Sequence, residues 1–438
     1  MPERVIHPKY GPGTVRATRY KGFELQVTFD DGLTRWVQMD ELKEVGLEST
    51  AASVVPGPPI LDEHFNSRRM IEAFRLGIVP HGCVDEFTFG RDEETQRIVK
   101  WLTSSNDDSM LVIGEYGTGK THLLQYAMSR ALQEGFAVAW VEMDPNECPF
   151  HKPKRVYSHL VRSFKYRSGH NGQLRGFRSF LREILAHGAF KDHYYLKHLI
   201  GRTSNEDLWD WIEAKESSIR PWSYDDWGYY SLPGLYDYST AANIYCYLLS
   251  AFGWAAREIL DLKGLLLVFD EAEIVEVNFY SYQAQRSRNF LRALIRTANG
   301  ETRLLESPWK SGIDYCGVGI GPEVPFLYKR PSGLKLLLAF TSLAWNYKYW
   351  SPLIEELETL PQIDLEPLSD EGLRQIFEHV CLLYDSAYDF LEEDITIDAI
   401  FRKVNRQQAR TRLFVKGTVE SLDLVRFYPE GSIDEVLR

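Results

Sequence analysis

The hydrophobic positions of the chain fall into short runs that alternate with longer segments of helical spacing. The apolar runs lie at 110–113, 136–143, 264–269 and 334–340, and their only charged residues are Glu142 and Lys335. A run without polar alternation predicts a strand that is buried on both faces, as in a parallel sheet. Between the runs, segments such as 121–134 and 283–298 repeat their apolar residues with the period of a helix. The pattern therefore predicts an α/β core in which helices cover a parallel sheet.

The two ends of the chain differ from this core. Residues 5–45 alternate as short strands do, and the turn Asp30-Asp31-Gly32 indicates a hairpin. Residues 46–60 are rich in Ser, Ala, Gly and Pro, which is typical of a linker. From Ser369, a predicted helix N-cap, the pattern is helical. We predict a small β-module at 1–45, a linker at 46–62, a core at 63–368 with a long insertion at about 145–262, and a helical lid at 369–438.

Length and composition narrow the class of protein. The chain has 438 residues, of which 44% are hydrophobic, so two or three domains with sizeable cores are expected. The formal net charge of −12 argues against a protein that covers its whole surface with nucleic acid. The five cysteines include no C-x-x-C pair, which argues against a disulfide framework or a zinc site. No apolar run reaches membrane-spanning length, so we expect a cytoplasmic protein without a membrane partner.

A glycine-rich segment follows the first apolar run and matches the P-loop pattern G-x-x-x-x-G-K-[ST]. The predicted ATP-binding residues are Gly114, Glu115, Tyr116, Gly117, Thr118, Gly119, Lys120, Thr121 and the adjoining His122. Glycines let the backbone curl so that successive N–H groups face phosphate oxygens, and the helix that starts there adds the positive end of its dipole. Lys120 would reach the β- and γ-phosphates, and Thr121 would ligate Mg²⁺.

A second chemical landmark ends the run at 264–269. Asp270 and Glu271 follow this run directly, which is the Walker B arrangement. Asp270 is the other predicted Mg²⁺ ligand, and Glu271 would polarise the attacking water, a role that needs a carboxylate within hydrogen-bond reach. Glu273 is expected in a supporting position or on the surface. Thr341 ends the next run and would contact phosphate or water, so Glu271, Lys120 and Thr341 are the predicted catalytic residues.

A basic tract lies inside the predicted insertion. Residues 151–182 contain nine Lys or Arg and no Asp or Glu, with aromatic residues between them. On an acidic protein this segregation indicates a nucleic-acid surface. The candidate contacts are Lys165, Arg167, Arg175, Arg178 and Arg182. The alternative is a solvated helix pair whose charges meet acidic neighbours.

Residues 205–247 are acidic and rich in Trp and Tyr, which indicates a protein interface or an internally packed satellite core.

The P-loop, the acidic pair and the stretches around them resemble the ATP-binding family of BREX-type phage-defence systems. The stretches are 73–80, 90–94, 114–124, Asp144-Pro145 with His151-Lys152-Pro153, and Asp270-Glu271-Ala272-Glu273. The resemblance covers roughly residues 64–428 and implies an AAA+/STAND-like ATPase that acts beside other defence proteins. It also implies that Arg91 helps to hold the adenine. Arg410 or Arg412 would act as a second sensor, with a plain basic lid helix as the alternative.

The N-terminal module resembles the Tudor-like, SH3-type barrel at the tail of UvrD-type helicases. Both share a His-Pro-x-(Phe/Tyr)-Gly-x-Gly-x-Val opening, found here at 7–15. Such barrels contact protein or nucleic acid, which implies an adaptor role, and a structural cap is the alternative.

One departure from the AAA+ pattern is that no Arg occurs from Leu343 to Gly372, where a trans-acting arginine finger is expected. A finger would have to come from a partner or from another residue of this chain: Arg292, Arg296, Arg303, Arg330 or Lys348.

The sequence thus predicts a Mg²⁺- and ATP-dependent AAA+-like ATPase in bacterial antiphage defence. It would couple nucleotide binding and hydrolysis to DNA engagement and partner recruitment. ATP and Mg²⁺ are the predicted cofactors. The predicted partners are DNA and a defence protein such as a helicase or nuclease, and a homo-oligomer is left open. The alternative is an ATP-gated interaction switch or scaffold with little turnover and no direct DNA contact.

Overall fold

The structure is a computed structural model that describes most of the chain. The described residues are 4–7, 10–19, 24–30, 32–38, 43–44, 64–76, 84–169, 172–215, 222–225, 228–276, 280–316, 323–341, 355–390, 401 and 411–428. The chain divides into two compact units, Met1–Asp62 and Glu63–Arg438. The predicted linker at 46–62 and the sensor candidate Arg410 lie outside the described residues.

The first unit is a small antiparallel sheet. Its strands are β1 (Arg4–His7), β2 (Gly11–Arg19), β3 (Glu24–Phe29), β4 (Thr34–Gln38) and β5 (Lys43–Glu44). They pair in the order β4-β3-β2-β1-β5, and β3 and β4 form the predicted hairpin. Val27 and Phe29 are at the centre of its apolar core. The predicted β-module is therefore present, and its likeness to a Tudor-type barrel stays a prediction.

The second unit contains the remaining strands and all the helices of the described chain. The strands are β6 (Ser109–Gly114), β7 (Phe136–Glu142), β8 (Lys165–Arg167), β9 (Leu174–Gly176), β10 (Trp222–Asp225), β11 (Gly228–Ser231), β12 (Gly264–Asp270), β13 (Leu334–Thr341) and β14 (Gln362–Leu365). The α-helices are α1 (Phe65–Arg75), α2 (Asp92–Thr103), α3 (Lys120–Gln133), α4 (Pro153–Ser163), α5 (Phe177–Ala186), α6 (Glu206–Ile212), α7 (Ala242–Glu258), α8 (Ser281–Ala298), α9 (Glu355–Glu358), α10 (Asp370–Tyr388) and α11 (Thr411–Phe427). Short 3-10 helices lie at Asp85–Phe87, Leu196–Leu199, Ala272–Glu276, Thr302–Leu305 and Pro308–Lys310.

Seven strands of the second unit form one sheet in the order β14-β6-β13-β12-β7-β8-β9. The first five pair in parallel, and β8 and β9 extend the edge in antiparallel pairing. All residues of β6 and β12 are buried, as their unbroken apolar runs predict. This sheet confirms the predicted α/β class with a parallel AAA+-like core. The carboxyl ends of its parallel strands meet at one edge, which is where such sheets bind ligands.

Neighbouring residues of the central strands face two different helical layers. Met110 and Val112 pack with α2 and α3, whereas Leu111 and Ile113 belong to the core formed with α4, α5, α7 and α8. Burying both faces removes most strand surface from water, and each fully buried Leu or Ile side chain contributes about 1.5–3 kcal/mol. The sheet is thus the middle of three layers.

The predicted insertion is built into this core. Helices α4, α5 and α7 supply a large part of the cluster on one face of the sheet, and β8 and β9 extend the sheet itself. Trp209 and Trp211 of the acidic, aromatic segment are buried in the same cluster, which matches internal packing for these two residues. The side chains of Trp222, Trp227, Tyr229 and Tyr230 are outside the described residues.

A separate apolar cluster joins α1, α10 and α11, the helices that flank the core in sequence. Ser369 caps α10 as predicted, because its side chain accepts a hydrogen bond from the Gly372 N–H. In the part of the chain that the structure describes, no helix has both the length and the apolar character needed to cross a membrane.

Candidate nucleotide-binding site

The P-loop connects β6 to α3 through a backbone that requires glycine. Gly117 and Gly119 have φ values of 88° and 101°, a region that residues with a Cβ rarely adopt. Gly114 ends β6 where a Cβ would lie 2.7 Å from Thr118 Oγ1 and 2.8 Å from the Leu365 carbonyl oxygen. The curl of the loop and its close contact with the end of β14 therefore depend on these three positions.

Lys120 is the first residue of α3 and is buried, with only 6% of the residue exposed. Its Nζ donates hydrogen bonds to the carbonyl oxygens of Gly114 at 3.0 Å and Glu115 at 3.2 Å. The Thr118 hydroxyl donates to the same Glu115 carbonyl at 2.9 Å. These contacts hold a positive charge inside the loop, where the sequence predicts phosphate binding.

The acidic strand end lies directly beside the P-loop helix. The Thr121 hydroxyl donates to Asp270 Oδ2 at 2.7 Å, across a separation of 149 residues. Asp270 is only 2% exposed, and burial raises the pKa of its carboxyl although the Thr121 hydrogen bond lowers it. A hydroxyl and a carboxylate are hard oxygen donors of the kind that Mg²⁺ prefers. The two residues therefore fit a Mg²⁺ ion that also binds nucleotide phosphate.

Glu271 follows in a left-handed backbone conformation with a φ of 53°. The pKa of its carboxyl is raised to about 7, first by burial and then by the neighbouring carboxylates of Glu273 and Asp270, with the ammonium of Lys120 acting in the opposite direction. The left-handed conformation is uncommon for a residue with a Cβ and indicates local strain. Glu271 is thus held in an unusual backbone position next to the Mg²⁺ candidate.

Glu273 is a buried partner of Glu271 and not a surface residue. It is 9% exposed and shares a side-chain hydrogen bond with Glu271. Its Oε2 atom is buried and has no hydrogen-bond partner among the described residues. The sequence could not decide whether Glu273 supports the site or lies on the surface. No sequence motif assigns a role to an acidic residue two positions after the Walker B pair.

Thr341 is the last residue of β13, the strand between β6 and β12. It pairs in register with Gly114, where the P-loop begins. The structure therefore brings Thr341, Lys120, Thr121, Asp270 and Glu271 to the same edge of the sheet, since each is at or just beyond the carboxyl end of a parallel strand. Ser342 is outside the described residues.

Arg91 binds protein carbonyls that hold the P-loop against the last parallel strand. Its Nη2 donates to the Thr118 carbonyl at 2.8 Å and to the Glu366 carbonyl at 2.7 Å. Its Nη1 donates to Glu94 Oε1 at 2.9 Å, and the residue is only 8% exposed. The guanidinium, which the family resemblance assigns to the adenine, is thus already engaged with the loop and with the residue that follows β14.

His122 is joined to the chain segment that precedes α2. Its Nε2 lies 2.9 Å from the Thr88 hydroxyl. Burial and the nearby charge of Arg91 lower the pKa of its imidazole to about 4, so the ring is neutral at pH 7. His122 therefore connects the P-loop helix to Thr88, and a contact with nucleotide stays a prediction.

Arg412 is an exposed residue of α11, and its Nη2 donates to the Leu76 carbonyl at 3.4 Å. This contact joins α11 to the residue that follows α1. A sensor contact with the γ-phosphate stays a prediction for Arg412.

Two of the arginine-finger candidates are ion-paired within the chain, Arg292 with Glu356 and Arg296 with Glu301.

The basic tract at 151–182 has a different surface from the one its sequence suggests. The aromatic residues between its charges are buried: Tyr157, Phe164, Tyr166, Phe177 and Phe180. Arg175 pairs with Glu183, and Arg178 pairs with Glu206 and Glu213. These two arginines therefore follow the alternative in which the charges meet acidic neighbours.

The other three candidate contacts of the tract remain on the surface. Lys165 and Arg167 are exposed on β8, and Arg167 also donates to the Gly172 carbonyl at 3.2 Å. Arg182 is exposed, and its guanidinium lies 5.1 Å from the ring centre of the buried Trp209. A DNA contact stays a prediction for all five candidates.

A known protein family matches the segment that contains the P-loop. Residues 63–185 match the family model of BREX system ATP-binding protein BrxC/D. The predicted BREX-type resemblance is confirmed over this segment. The matched residues include the P-loop, α3 and Arg91. With the P-loop and the acidic strand end on one sheet edge, the chain is an ATP-binding P-loop ATPase.

Several solved structures are similar to the chain at low identity. The Aeropyrum pernix ORC2 protein in its ADPNP and ADP complexes has 14% identity and a TM-score of 0.39, over 79% of this chain and 66% of that chain. Drosophila ORC bound to DNA has 12% identity and a TM-score of 0.38, over 89% and 69%. A Walker-type ATPase of Pyrococcus abyssi has 12% identity and a TM-score of 0.36, over 80% and 70%. A comparison with curated proteins gives no match.

The engagement of Arg91 leads to a prediction that separates two roles. In Arg91→Lys, a single ammonium replaces a planar guanidinium that bridges two carbonyls and Glu94. We expect the affinity for ATP to fall about tenfold, since one charge-assisted hydrogen bond contributes about 1.5–3 kcal/mol. If Arg91 acts only by holding the loop, affinity for ATP and GTP should fall equally, which competition with a fluorescent nucleotide would measure.

The matched control for this variant is Arg97→Lys. Arg97 is an exposed residue of the same helix that also donates to a carbonyl, that of Gln362 in β14. Within the described residues no hydrogen bond or ion pair links Arg97 to the P-loop, so its replacement should leave nucleotide affinity unchanged. A loss confined to ATP in Arg91→Lys would instead favour the adenine contact that the family resemblance implies.

Proposed function

We propose that this protein is a Mg²⁺-dependent ATPase that couples nucleotide binding and hydrolysis to DNA engagement and to recruitment of a partner in bacterial antiphage defence. The hydrogen bond between Thr121 and Asp270 carries the catalytic part of the proposal, because it joins the P-loop helix to the Walker B strand at the sheet edge. The match to a BREX system ATP-binding family supports the process. A cytoplasmic location is part of the proposal.

In this proposal each residue has a distinct task. The ammonium of Lys120 neutralises phosphate charge, and the oxygens of Thr121 and Asp270 hold Mg²⁺, which supplies charge compensation when bound. Glu271 accepts a proton from the attacking water, and the raised pKa of its carboxyl makes it a stronger base than an exposed glutamate. Thr341 orients a phosphate or water from the neighbouring strand. Burial of Lys120 and Asp270 keeps bulk water away from these charges.

DNA engagement is the less specific part of the proposal. Two cationic tracts support it, 151–182 and 280–299, because neither contains an Asp or Glu although the whole chain is acidic. A partner protein such as a helicase or nuclease would be recruited in one nucleotide state. Self-assembly into a homo-oligomer is open within the same proposal.

An ATP-gated switch with little turnover is a second candidate. It is favoured by the ion pairs that engage Arg292 and Arg296, which leaves two expected arginine-finger candidates occupied within the chain. In this reading the nucleotide would stabilise one conformation, and a partner protein would recognise that conformation.

The experiment that tests the proposal is a steady-state ATPase assay on the full chain with Mg²⁺. The rate would be measured without DNA, with duplex DNA and with single-stranded DNA, alongside the mass of the protein in solution. We expect Mg²⁺-dependent turnover that DNA changes severalfold. Negligible turnover with tightly retained nucleotide would favour the switch, and turnover that is insensitive to both DNAs would remove DNA from the proposal.

A further inference from the structure

Two exposed tyrosines lie where α8 begins, just beyond the Walker B segment. Tyr280 is 62% exposed and Tyr282 is 56% exposed. Their ring centres are 5.7 Å apart and their planes differ by 21°, so the rings are stacked on each other in water. A large aromatic side chain is usually at least half buried, and two exposed and mutually stacked rings form a flat apolar surface that is open to a ligand.

The charge of the surrounding segment indicates the chemistry of that ligand. Residues 280–299 contain four Arg and no Asp or Glu, on a chain with a formal net charge of −12. Arg286 is the first of these arginines after the two tyrosines in the sequence. It pairs with Asp314, whose side chain is 50% exposed. An ion pair at the surface contributes little, about 0–1 kcal/mol, so a phosphate can replace Asp314 at low cost. Arg292 and Arg296 are held in their own ion pairs, so Arg286 is the arginine on which the argument rests, and the start of α8 suits an anionic ligand with flat aromatic groups.

The tyrosine pair is also connected to the catalytic edge of the sheet. The 3-10 helix at Ala272–Glu276 follows Glu271 directly and contacts both α8 and β13. Ala272 and Val275 are fully buried in the core that also contains Phe290 and Leu294 of α8. The segment that follows Glu271 is therefore packed in the same core as the helix that begins beside the tyrosine pair.

This surface differs from the basic tract at 151–182 in the one property that base stacking needs. The aromatic rings of that tract are buried in the core, so they cannot contact a base. Lys165 and Arg167 can attract phosphate there, but such contacts do not distinguish stacked from unstacked bases. Tyr280 and Tyr282 have exposed ring faces and arginines on the same helix.

We propose that Tyr280 and Tyr282, together with Arg286, form a stacking platform for single-stranded nucleic acid. The inference rests on the proposed function, of which it specifies the nucleic-acid partner. Bases of a single strand present free π faces that can stack on tyrosine, whereas the bases of a duplex are covered by their neighbours. Binding is therefore selective for single strands, tolerant of base sequence and weakened by salt.

The test compares three forms of the full chain by fluorescence anisotropy with a labelled 20-nucleotide oligo(dT) at low salt. The forms are the parent, the double variant Tyr280→Ala with Tyr282→Ala, and the double variant Tyr280→Phe with Tyr282→Phe. We expect the alanine variant to bind at least about 25-fold more weakly, because each of the two lost stacking contacts with a base costs roughly fivefold or more in affinity. The phenylalanine variant retains both rings and should bind as the parent does.

Basal ATP hydrolysis separates this inference from the function on which it rests. None of the three forms changes a residue of the nucleotide site, so basal turnover should be equal in all three, which also shows that each is folded. Loss of oligo(dT) binding with intact turnover supports the platform. If the parent binds the oligonucleotide but hydrolyses no ATP, the proposed function fails while the platform stands.

Three results would overturn the platform itself. One is equal oligo(dT) affinity of the alanine variant and the parent. The second is absence of oligo(dT) binding by an ATPase-active parent at low salt, in which case the tyrosines would be a protein contact. The third is loss of binding in Lys165→Ala with Arg167→Ala but not in the alanine variant of the tyrosines, which would place the contact on β8.

Discussion

The variant Lys120→Ala should lose nucleotide binding while the protein remains folded. The ammonium of Lys120 is buried and is the cation that the P-loop carries, so its removal leaves phosphate charge uncompensated in a site from which water is largely excluded. A hydrogen bond to a charged group contributes about 1.5–3 kcal/mol, and Lys120 would make at least one to phosphate. We therefore expect a loss of affinity on the order of 100-fold, measured by isothermal titration with ATP and Mg²⁺.

Lys100→Ala is the matched control for this experiment. Lys100 is an exposed residue of α2, and the same substitution there changes the net charge equally. Thermal unfolding without nucleotide should be compared as well, because the Lys120 ammonium also donates to the carbonyls of Gly114 and Glu115. Retention of ATP affinity within threefold in a folded Lys120→Ala protein would contradict the assignment of the P-loop.

The catalytic edge of the sheet could be predicted from the sequence because its residues are fixed by local rules. Apolar runs without alternation mark buried parallel strands, and the P-loop and the acidic pair each follow such a run directly. Once the strands are parallel, their carboxyl ends must meet, which brings Thr121 to Asp270 across 149 residues. For the same reason Thr341, at the end of its strand, could be placed at this edge, whereas its pairing with Gly114 depends on the strand order and comes from the structure.

Side-chain partners that lie far apart in sequence could not be predicted in this way. The composition of 151–182 gives its charge, but not that Arg178 would reach Glu213 or that Arg175 would reach Glu183. Likewise a Gly-Arg step before a P-loop does not reveal that Arg91 binds the Glu366 carbonyl, 275 residues later. Such contacts follow from the packing of whole elements, which periodicity alone does not determine.

The variant Glu271→Gln should bind ATP as the parent does but should not hydrolyse it at a significant rate. The amide keeps the size and hydrogen-bonding capacity of the side chain but cannot accept the proton of the attacking water. A positioned general base contributes typically 10²–10⁴-fold to the rate, so we expect kcat to fall by about that factor with little change in nucleotide affinity. Single-turnover hydrolysis of radiolabelled ATP measures the first quantity, and isothermal titration measures the second.

Glu93→Gln controls for the loss of one carboxylate, since Glu93 is an exposed residue of the first turn of α2. Its turnover should equal that of the parent. Unchanged turnover in Glu271→Gln would show that another group accepts the proton, and the buried Glu273 would be the first to substitute because its carboxyl is hydrogen-bonded to that of Glu271.

The same variant should also change how stability depends on pH in the protein without nucleotide. Burial and the carboxylates of Glu273 and Asp270 raise the pKa of the Glu271 carboxyl from 4.5 to about 7, and the ammonium of Lys120 opposes them only in part. Between these pH values the folded protein holds a proton that the unfolded chain has released. The contribution of the Glu271 carboxyl to the free energy of unfolding therefore falls as pH rises from 4.5 to about 7 and is then constant.

The amide that replaces this carboxyl does not ionise, and it can donate a hydrogen bond to Glu273 at every pH. The unfolding temperature of Glu271→Gln should therefore match that of the parent near pH 5 and exceed it at pH 8, whereas Glu93→Gln should show no such divergence. Thermal unfolding of the three proteins across this range measures the difference. If the unfolding temperatures of the parent and of Glu271→Gln instead change with pH in parallel, Glu271 ionises at its ordinary pKa. The buried carboxyl pair would then not be the source of the basicity of Glu271.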